Sequence, residues 1–290
     1  MRKMYLISTN HLEDCLWFMD DEDFRVAMNY VAIQAFYCPN VVVLTFILMS
    51  NHVHFILKGS EKDVIAFVNG FKHRYSLYYY LKYGVRGLLR RNKLDVRHIP
   101  LESEAPERAI AYVQMNCVAA NICAHPSQYP WGTGNTFFSE NPRDGLKLDS
   151  MSILALERLM HSEQVDLPPD WIVNRQGFVP PSEYVDVTAV EKLFRTPGRM
   201  NYFLNNSSKA QRKMGLSEDN LPAFRDQTVA ASLPDLCRSL FQKESFAQLN
   251  EDQQKELTRQ IRFRFSAEAH QIARVCGISY SAAAKLLDSL

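Results

Sequence analysis

The stretch from Val41 to Leu57, VVVLTFILMSNHVHFIL, constrains the fold more than any other part of the chain. Two apolar runs rich in Val, Ile, Leu and Phe flank Ser50-Asn51. Runs of this composition read as buried strands, and Ser-Asn supplies turn chemistry between them. The expectation is a hairpin. Side chains alternate along a strand, so His52 and His54 point to one face and Val53 to the other. Two imidazoles side by side on a rigid strand can bind one metal ion. Two polar residues on a half-buried strand would give the same pattern.

The first half of the chain arranges itself around that hairpin. Lys3 to Thr9 reads as a strand and Asn10 to Asp20 as a loop. A helix follows, capped by Asp20 or Asp21, with Phe24, Ala27, Met28, Val31, Ala32 and Ala35 on one face. Cys38-Pro39-Asn40 ends it. After the hairpin, Ser60-Glu61-Lys62-Asp63 marks a second helix start, and Val64, Ile65, Phe67, Val68, Phe71 and Leu77 are expected to point inward. Val96 to Leu101 reads as a fourth strand. Pro106 suits the first turn of a third helix, with Glu107 favourable beside it. Tyr112 and Asn116, four residues apart, share a face of that helix, which His125-Pro126 ends. The order strand, helix, two strands, helix, strand, helix implies an α+β domain over residues 1–140, an antiparallel sheet with helices packed on it. Asn141 to Gly145 reads as a linker and residues 150–290 as mostly helical. A chain of 290 residues is long enough for both parts.

The formal net charge of +1 does not favour a nucleic-acid partner, but the local distribution does. Eight Lys or Arg (72, 74, 82, 86, 90, 91, 93 and 97) lie between Lys72 and Arg97, against the single acid Asp95. Within that stretch KHRYSLYYYLKYG interleaves cations with tyrosines, which suits phosphate contact and base stacking. An amphipathic helix with its tyrosines packed on the core would read the same way. Lys72, Arg74, Arg90 and Arg91 are the candidate phosphate contacts. Glu13 to Asp23 carries six acids and no Lys or Arg, and reads as a solvated loop and helix start. Six cysteines without a Cys-x-x-Cys pair, and an N-terminus without a long apolar core, suggest a reduced, cytoplasmic protein. No apolar run approaches a membrane span.

His52, His54, Tyr112 and Asn116 form a constellation. Here the sequence resembles the single-tyrosine HUH (His-hydrophobe-His) transposases, in particular the REP-associated tyrosine transposases. The matched residues are Met49-Ser50-Asn51-His52-Val53-His54 and Tyr112-Val113-Gln114-Met115-Asn116, with Val118, Ala120 and Tyr129-Pro130-Trp131 after them. The resemblance covers about residues 3 to 135. It departs from the family at Asn116-Cys117, where Asn-Pro is usual, and in the long tail from 150. It implies a ferredoxin- or RRM-like palm and a DNA strand transferase. Tyr112 would be the nucleophile that forms a 5′-phosphotyrosine and leaves a free 3′-OH. His52, His54 and the Asn116 side-chain oxygen would bind one Mg²⁺ or Mn²⁺ ion. Single-stranded or hairpin DNA would be the partner. Three protein ligands leave coordination positions open for a phosphate oxygen and water. A tyrosine, with a reference pKa of about 10, needs activation at neutral pH. A domesticated regulator that binds DNA without cutting is the alternative on the same fold, and a small-molecule metalloenzyme using the two histidines is a third.

Ala269 to Leu287, AHQIARVCGISYSAAAKLL, reads as a helix-turn-helix within residues 266–290. Ala273 lies in the first helix, Gly277 in the turn and Ile278 under it, and Ser279 or Ser281 caps the second helix. Ser279, Tyr280 and Lys285 are its candidate DNA contacts, and any compact helical hairpin would share the pattern.

Overall fold

The computed structural model describes residues 2–12, 14–89, 92–140, 143–207, 224–265 and 267–288. Four strands, β1 (Lys3–Thr9), β2 (Val42–Met49), β3 (His52–Gly59) and β4 (Leu94–Ile99), form a sheet in the order β2-β3-β1-β4. All neighbours are antiparallel. Met49 pairs with His52, so Ser50-Asn51 is a two-residue turn. Helices α1 (Asp21–Tyr37) and α2 (Glu61–Tyr83) cover one face, where Phe55 meets Phe67 and Phe71 at ring distances of 5.8 and 5.6 Å. Helix α3 (Ala105–Gln114) packs against β2, β3 and β4 on the other. With helices on both sides, β2 and β3 are buried along both faces, which is why they read as continuous apolar runs.

Local signals set the helix starts. The Asp20 carboxylate accepts the Asp23 amide at the start of α1, and the Ser60 hydroxyl does the same for Asp63 at the start of α2. The fourth strand lies two residues earlier than Val96–Leu101, because it registers on β1 from Thr9↔Leu94 to Met4↔Ile99 and Pro100 has no N–H for the ladder. The third helix stops at Gln114 rather than running to His125. A separate turn, α4 (Asn116–Ala119), follows. The Asn116 side-chain Nδ2 donates to the Tyr112 and Val113 carbonyls, competing for acceptors that a continuing helix would use.

The edge of the sheet at β2 is covered. Leu48 N–H donates to the Trp131 carbonyl at 2.9 Å, the Tyr129 hydroxyl to the Leu48 carbonyl at 2.7 Å, and Thr133 N–H to the Phe46 carbonyl at 3.1 Å. A Cβ on Gly132 would stand 2.7 Å from the Phe46 carbonyl oxygen, so this approach needs glycine. Tyr129-Pro130-Trp131 therefore shields an otherwise unpaired strand edge.

The packed cores do not divide at 140–150. The first core continues through Met160, Trp171, Phe178, Phe194 and Leu204. Residues 146–205 hold β5 (Leu146–Lys147), α5 (Ile153–Met160), β6 (Ile172–Val173), α6 (Val187–Phe194) and α7 (Pro197–Asn205). Part of this segment wraps the outer side of α1. Asn29 donates to the Leu159 and Gly177 carbonyls and accepts the Val179 N–H, which satisfies a fully buried amide. A second core, from Val229 to Leu286, is built by α8 (Asp226–Phe241), α9 (Glu251–Phe265), α10 (Ala269–Cys276) and α11 (Tyr280–Asp288). The C-terminal region is thus mostly helical. No described helix is long and apolar enough to cross a membrane.

The acidic start of α1 is a clamp as well as a solvated end. Lys82 reaches Asp20 at 2.8 Å, Glu22 at 2.9 Å and the fully buried Asp23 at 2.8 Å, and Tyr78 and Tyr83 add hydroxyl bonds to Asp23. Lys82→Met is expected to cost about 2 kcal/mol, the scale of a hydrogen bond to a charged group, as read by urea denaturation at neutral pH. Burial pushes the Asp20 carboxyl up, but hydrogen bonds from Lys82 and the Asp23 amide and the Lys82 charge outweigh it, and its pKa is lowered. The stability it contributes is present above the ordinary carboxylate pKa and is lost as pH falls through the depressed folded value.

Candidate functional site

The strand pairing brings His52 and His54 together. Their rings lie 4.8 Å apart at 89° and both are buried. Each ring is held at Nδ1. His54 Nδ1 lies 2.6 Å from the hydroxyl of Ser8, its register partner on β1. His52 Nδ1 lies 2.8 Å from Asn51 Oδ1. The Asn51 amide is oriented by its Nδ2, which donates to the Leu12 carbonyl at 2.8 Å. Oδ1 can only accept, so His52 Nδ1 carries the proton and a neutral ring has its lone pair on Nε2. Asn51 thus sets the tautomer of His52, and Ser8, whose hydroxyl can donate or accept, holds the orientation of the His54 ring; partners of this kind commonly orient metal-binding imidazoles.

Helix α3 lays Tyr112 over this pair, its ring 5.8 Å from that of His54 at 81°. Asn116 is buried beyond the end of α3, and its hydrogen bonds run to the Tyr112 and Val113 carbonyls at 2.9 and 3.0 Å. The structure therefore joins Tyr112 to His54 by direct ring contact and holds Asn116 through its own helix. Among the described residues, no group of three or more His, Cys, Asp or Glu side chains is arranged to hold a metal ion.

His11, in the loop after β1, stacks on His52 with centroids 3.8 Å apart and planes at 12°. Sequence reasoning missed it, and missed Ser8 and Asn51 as ring-positioning groups. The β1–β3 register reveals Ser8, and the course of the loop after β1 reveals His11. Asn51 was visible as the neighbour of His52, with nothing to show which way its amide turned.

The basic-aromatic stretch is mainly core. Lys72 is buried and donates to the Asn92 carbonyl, and burial lowers its pKa. Arg74 is spent on Gln34 at 3.2 Å and on Gln164. Lys72 is not placed as a phosphate contact, because the helix periodicity that buries Phe71 and Tyr75 turns its stem inward, whereas Arg74 is half-buried and keeps N–H groups beyond those used by the two glutamines. Arg90 and Arg91 lie outside the described residues. Tyr75, Tyr78 and Tyr79 are buried, and Tyr75 donates to the Trp17 carbonyl. Leu77, expected inward, is 54% exposed, since the inward arc is taken by Phe71, Tyr75, Tyr78 and Tyr79.

At the C-terminal end, Gly277 closes α10 in the left-handed conformation, φ 66°. Ile278 N–H donates to the Ala273 carbonyl at 3.0 Å. The Ser279 hydroxyl accepts the Ala282 amide at 3.2 Å. Ser279, Tyr280 and Lys285 are exposed, and Tyr280 stacks on His270 at 4.2 Å. This unit is tied to the hairpin. The buried Asp226 carboxylate at the start of α8 accepts Arg274 at 2.9 and 3.2 Å, Gln271 at 2.9 Å and the Ser50 hydroxyl at 2.5 Å. Ser50 belongs to the turn that leads into His52.

Comparisons with protein-family models, curated proteins and solved structures find no match to this chain.

Proposed function

We propose that this chain is a metal-dependent DNA strand transferase of the single-tyrosine HUH kind, acting on single-stranded or hairpin DNA. The observation that carries the reading is the ring contact of Tyr112 with His54, beside a second histidine on the same strand face. Strand order supports it as well: an antiparallel β2-β3-β1-β4 sheet built from strand, helix, two strands, helix and strand suits a ferredoxin-like palm. Tyr112 Oη attacks a phosphodiester phosphorus. The Tyr–O–P bond forms as P–O3′ breaks, the phenolic proton passes to solvent, and the departing 3′ oxygen takes up a proton. Rejoining reverses these steps and needs no added energy source. His52 and His54, through Nε2, and the Asn116 amide oxygen would hold Mg²⁺ or Mn²⁺, which when bound polarises a phosphate oxygen. The helical pair α10–α11 reads as a helix-turn-helix within the expected span 266–290, of which 266, 289 and 290 lie outside the described residues, with Ser279, Tyr280 and Lys285 facing flanking duplex.

Ser8→Ala removes the group that holds the His54 ring. It is expected to weaken Mn²⁺ binding about 10- to 100-fold, as measured by titration calorimetry. An unchanged affinity would remove His54 from the metal set.

The function is tested by incubating the full-length protein with single-stranded hairpin oligonucleotides and Mn²⁺, followed by denaturing electrophoresis. A protein–DNA band that survives denaturation is the expected result. DNA affinity without that band would favour a non-cleaving regulator, and neither band nor affinity would overturn the reading.

A further inference from the structure

The register of β4 brings a cation to the same face of the sheet. Ser8 pairs with His54 on one flank and with Asp95 on the other, and Leu6 pairs with Arg97. Residues directly opposite on antiparallel strands share a face, so Asp95 and Arg97 stand on the face that carries His54 and is overlain by α3. The Arg97 side chain is 71% exposed and forks onto Asp95, at 2.8 Å through Nε and 2.6 Å through Nη2. The hydrogen bond to Asp95 and its charge raise the Arg97 pKa, slight desolvation opposes this, and the Tyr112 phenol adds in the raising direction. A pair this exposed contributes little to stability, so the fold does not require it. Asp95 occupies two of the five N–H groups of the guanidinium, and the rest of the fork can take a further anion.

We propose that Arg97 is the phosphate clamp of the Tyr112 centre: its guanidinium holds a non-bridging oxygen of the phosphodiester that Tyr112 attacks. This rests on the strand-transferase reading above. As the Tyr112 Oη–P bond forms and the P–O3′ bond breaks, the electron pair leaves with O3′ and the guanidinium stays protonated throughout. A fixed cation beside the non-bridging oxygens stabilises the crowded, charged transition state and orients phosphorus toward Oη. Asp95 positions the fork without touching the phosphate.

The test compares full-length wild type, Arg97→Gln and Arg97→Lys in single-turnover adduct formation on a hairpin oligonucleotide with Mn²⁺. Arg97→Gln should lower the rate about 100-fold and Arg97→Lys should recover part of it. Oligonucleotide affinity should change by less than about threefold, because one phosphate contact among several is lost. A methylphosphonate at the scissile position removes the charge that Arg97 holds, so on it the wild type and Arg97→Gln should differ by less than about threefold. An Arg97→Gln rate within about threefold of wild type on the natural diester would overturn the clamp while leaving the strand-transferase reading intact. Absence of any adduct in wild type would overturn both.

Discussion

Tyr112→Phe is expected to abolish covalent capture of single-stranded DNA while changing oligonucleotide affinity by less than about twofold, since one hydroxyl is removed and the backbone phosphate contacts are kept. The phenyl ring keeps its packing against His54 and the seating of α3 on the sheet. It has no oxygen with which to form a phosphoester. Denaturing electrophoresis reads the adduct and fluorescence anisotropy the affinity. Adduct formed undiminished by the variant would require another tyrosine. The buried tyrosines of α2 are poorly suited to that role. Tyr75, Tyr78 and Tyr79 are buried, and burial, with nearby acidic groups, raises their pKa values, that of Tyr79 to about 12. The exposed Tyr202 and Tyr280 would be the residues to examine.

Asp226→Ala is expected to destabilise the protein by about 3–5 kcal/mol, the cost of removing one partner from a buried, hydrogen-bonded charge pair. The Asp226 side chain is 4% exposed, and Arg274, Gln271 and Ser50 all direct donors at it. The alanine leaves a mostly buried guanidinium without its counter-charge. It also cuts the bond between the second core and the hairpin turn, so denaturation should broaden or split into two steps. A loss below about 1 kcal/mol, with one sharp transition, would show that the carboxylate is not the joint drawn here. The same contacts make a cut before Ser266 a poor probe of the tail. It would remove Gln271 and Arg274 together with the core residues Ile272, Ala273, Ala283 and Leu286. Substitutions at the exposed Tyr280 and Lys285 test duplex binding without that damage.

What could be read from the residues depended on whether the signal was local. Strand β1, the hairpin, the Asp20 and Ser60 caps and the Gly277 turn follow from short-range propensity, and the structure has them where the residues place them. The His52–His54 pairing follows from strand alternation alone. The tyrosines of α2 were ambiguous because period and composition fit a nucleic-acid surface and a packed helix equally well. The acids at Asp20 to Asp23, distant in sequence, decide for packing by taking Lys82. Lys72 looked like a surface cation because no local pattern shows that the Asn92 carbonyl waits for it. Ser8 and Arg97 join the face of His54 through the register of β1 with β3 and β4, and His11 through the loop after β1, none of which a single segment encodes. The helical tail was legible as helices. Its attachment at Asp226 rests on a contact between residues 176 positions apart, and the first core runs past residue 150 through contacts of similar range.

The central claim is that Tyr112 is the residue that becomes bonded to DNA. The most direct measurement is mass spectrometry of the protein–DNA adduct after exhaustive nuclease and protease digestion. The account predicts a peptide carrying a nucleotide 5′-phosphate on Tyr112. A nucleotide mapped to any other residue, or an adduct formed equally well by Tyr112→Phe, would contradict it.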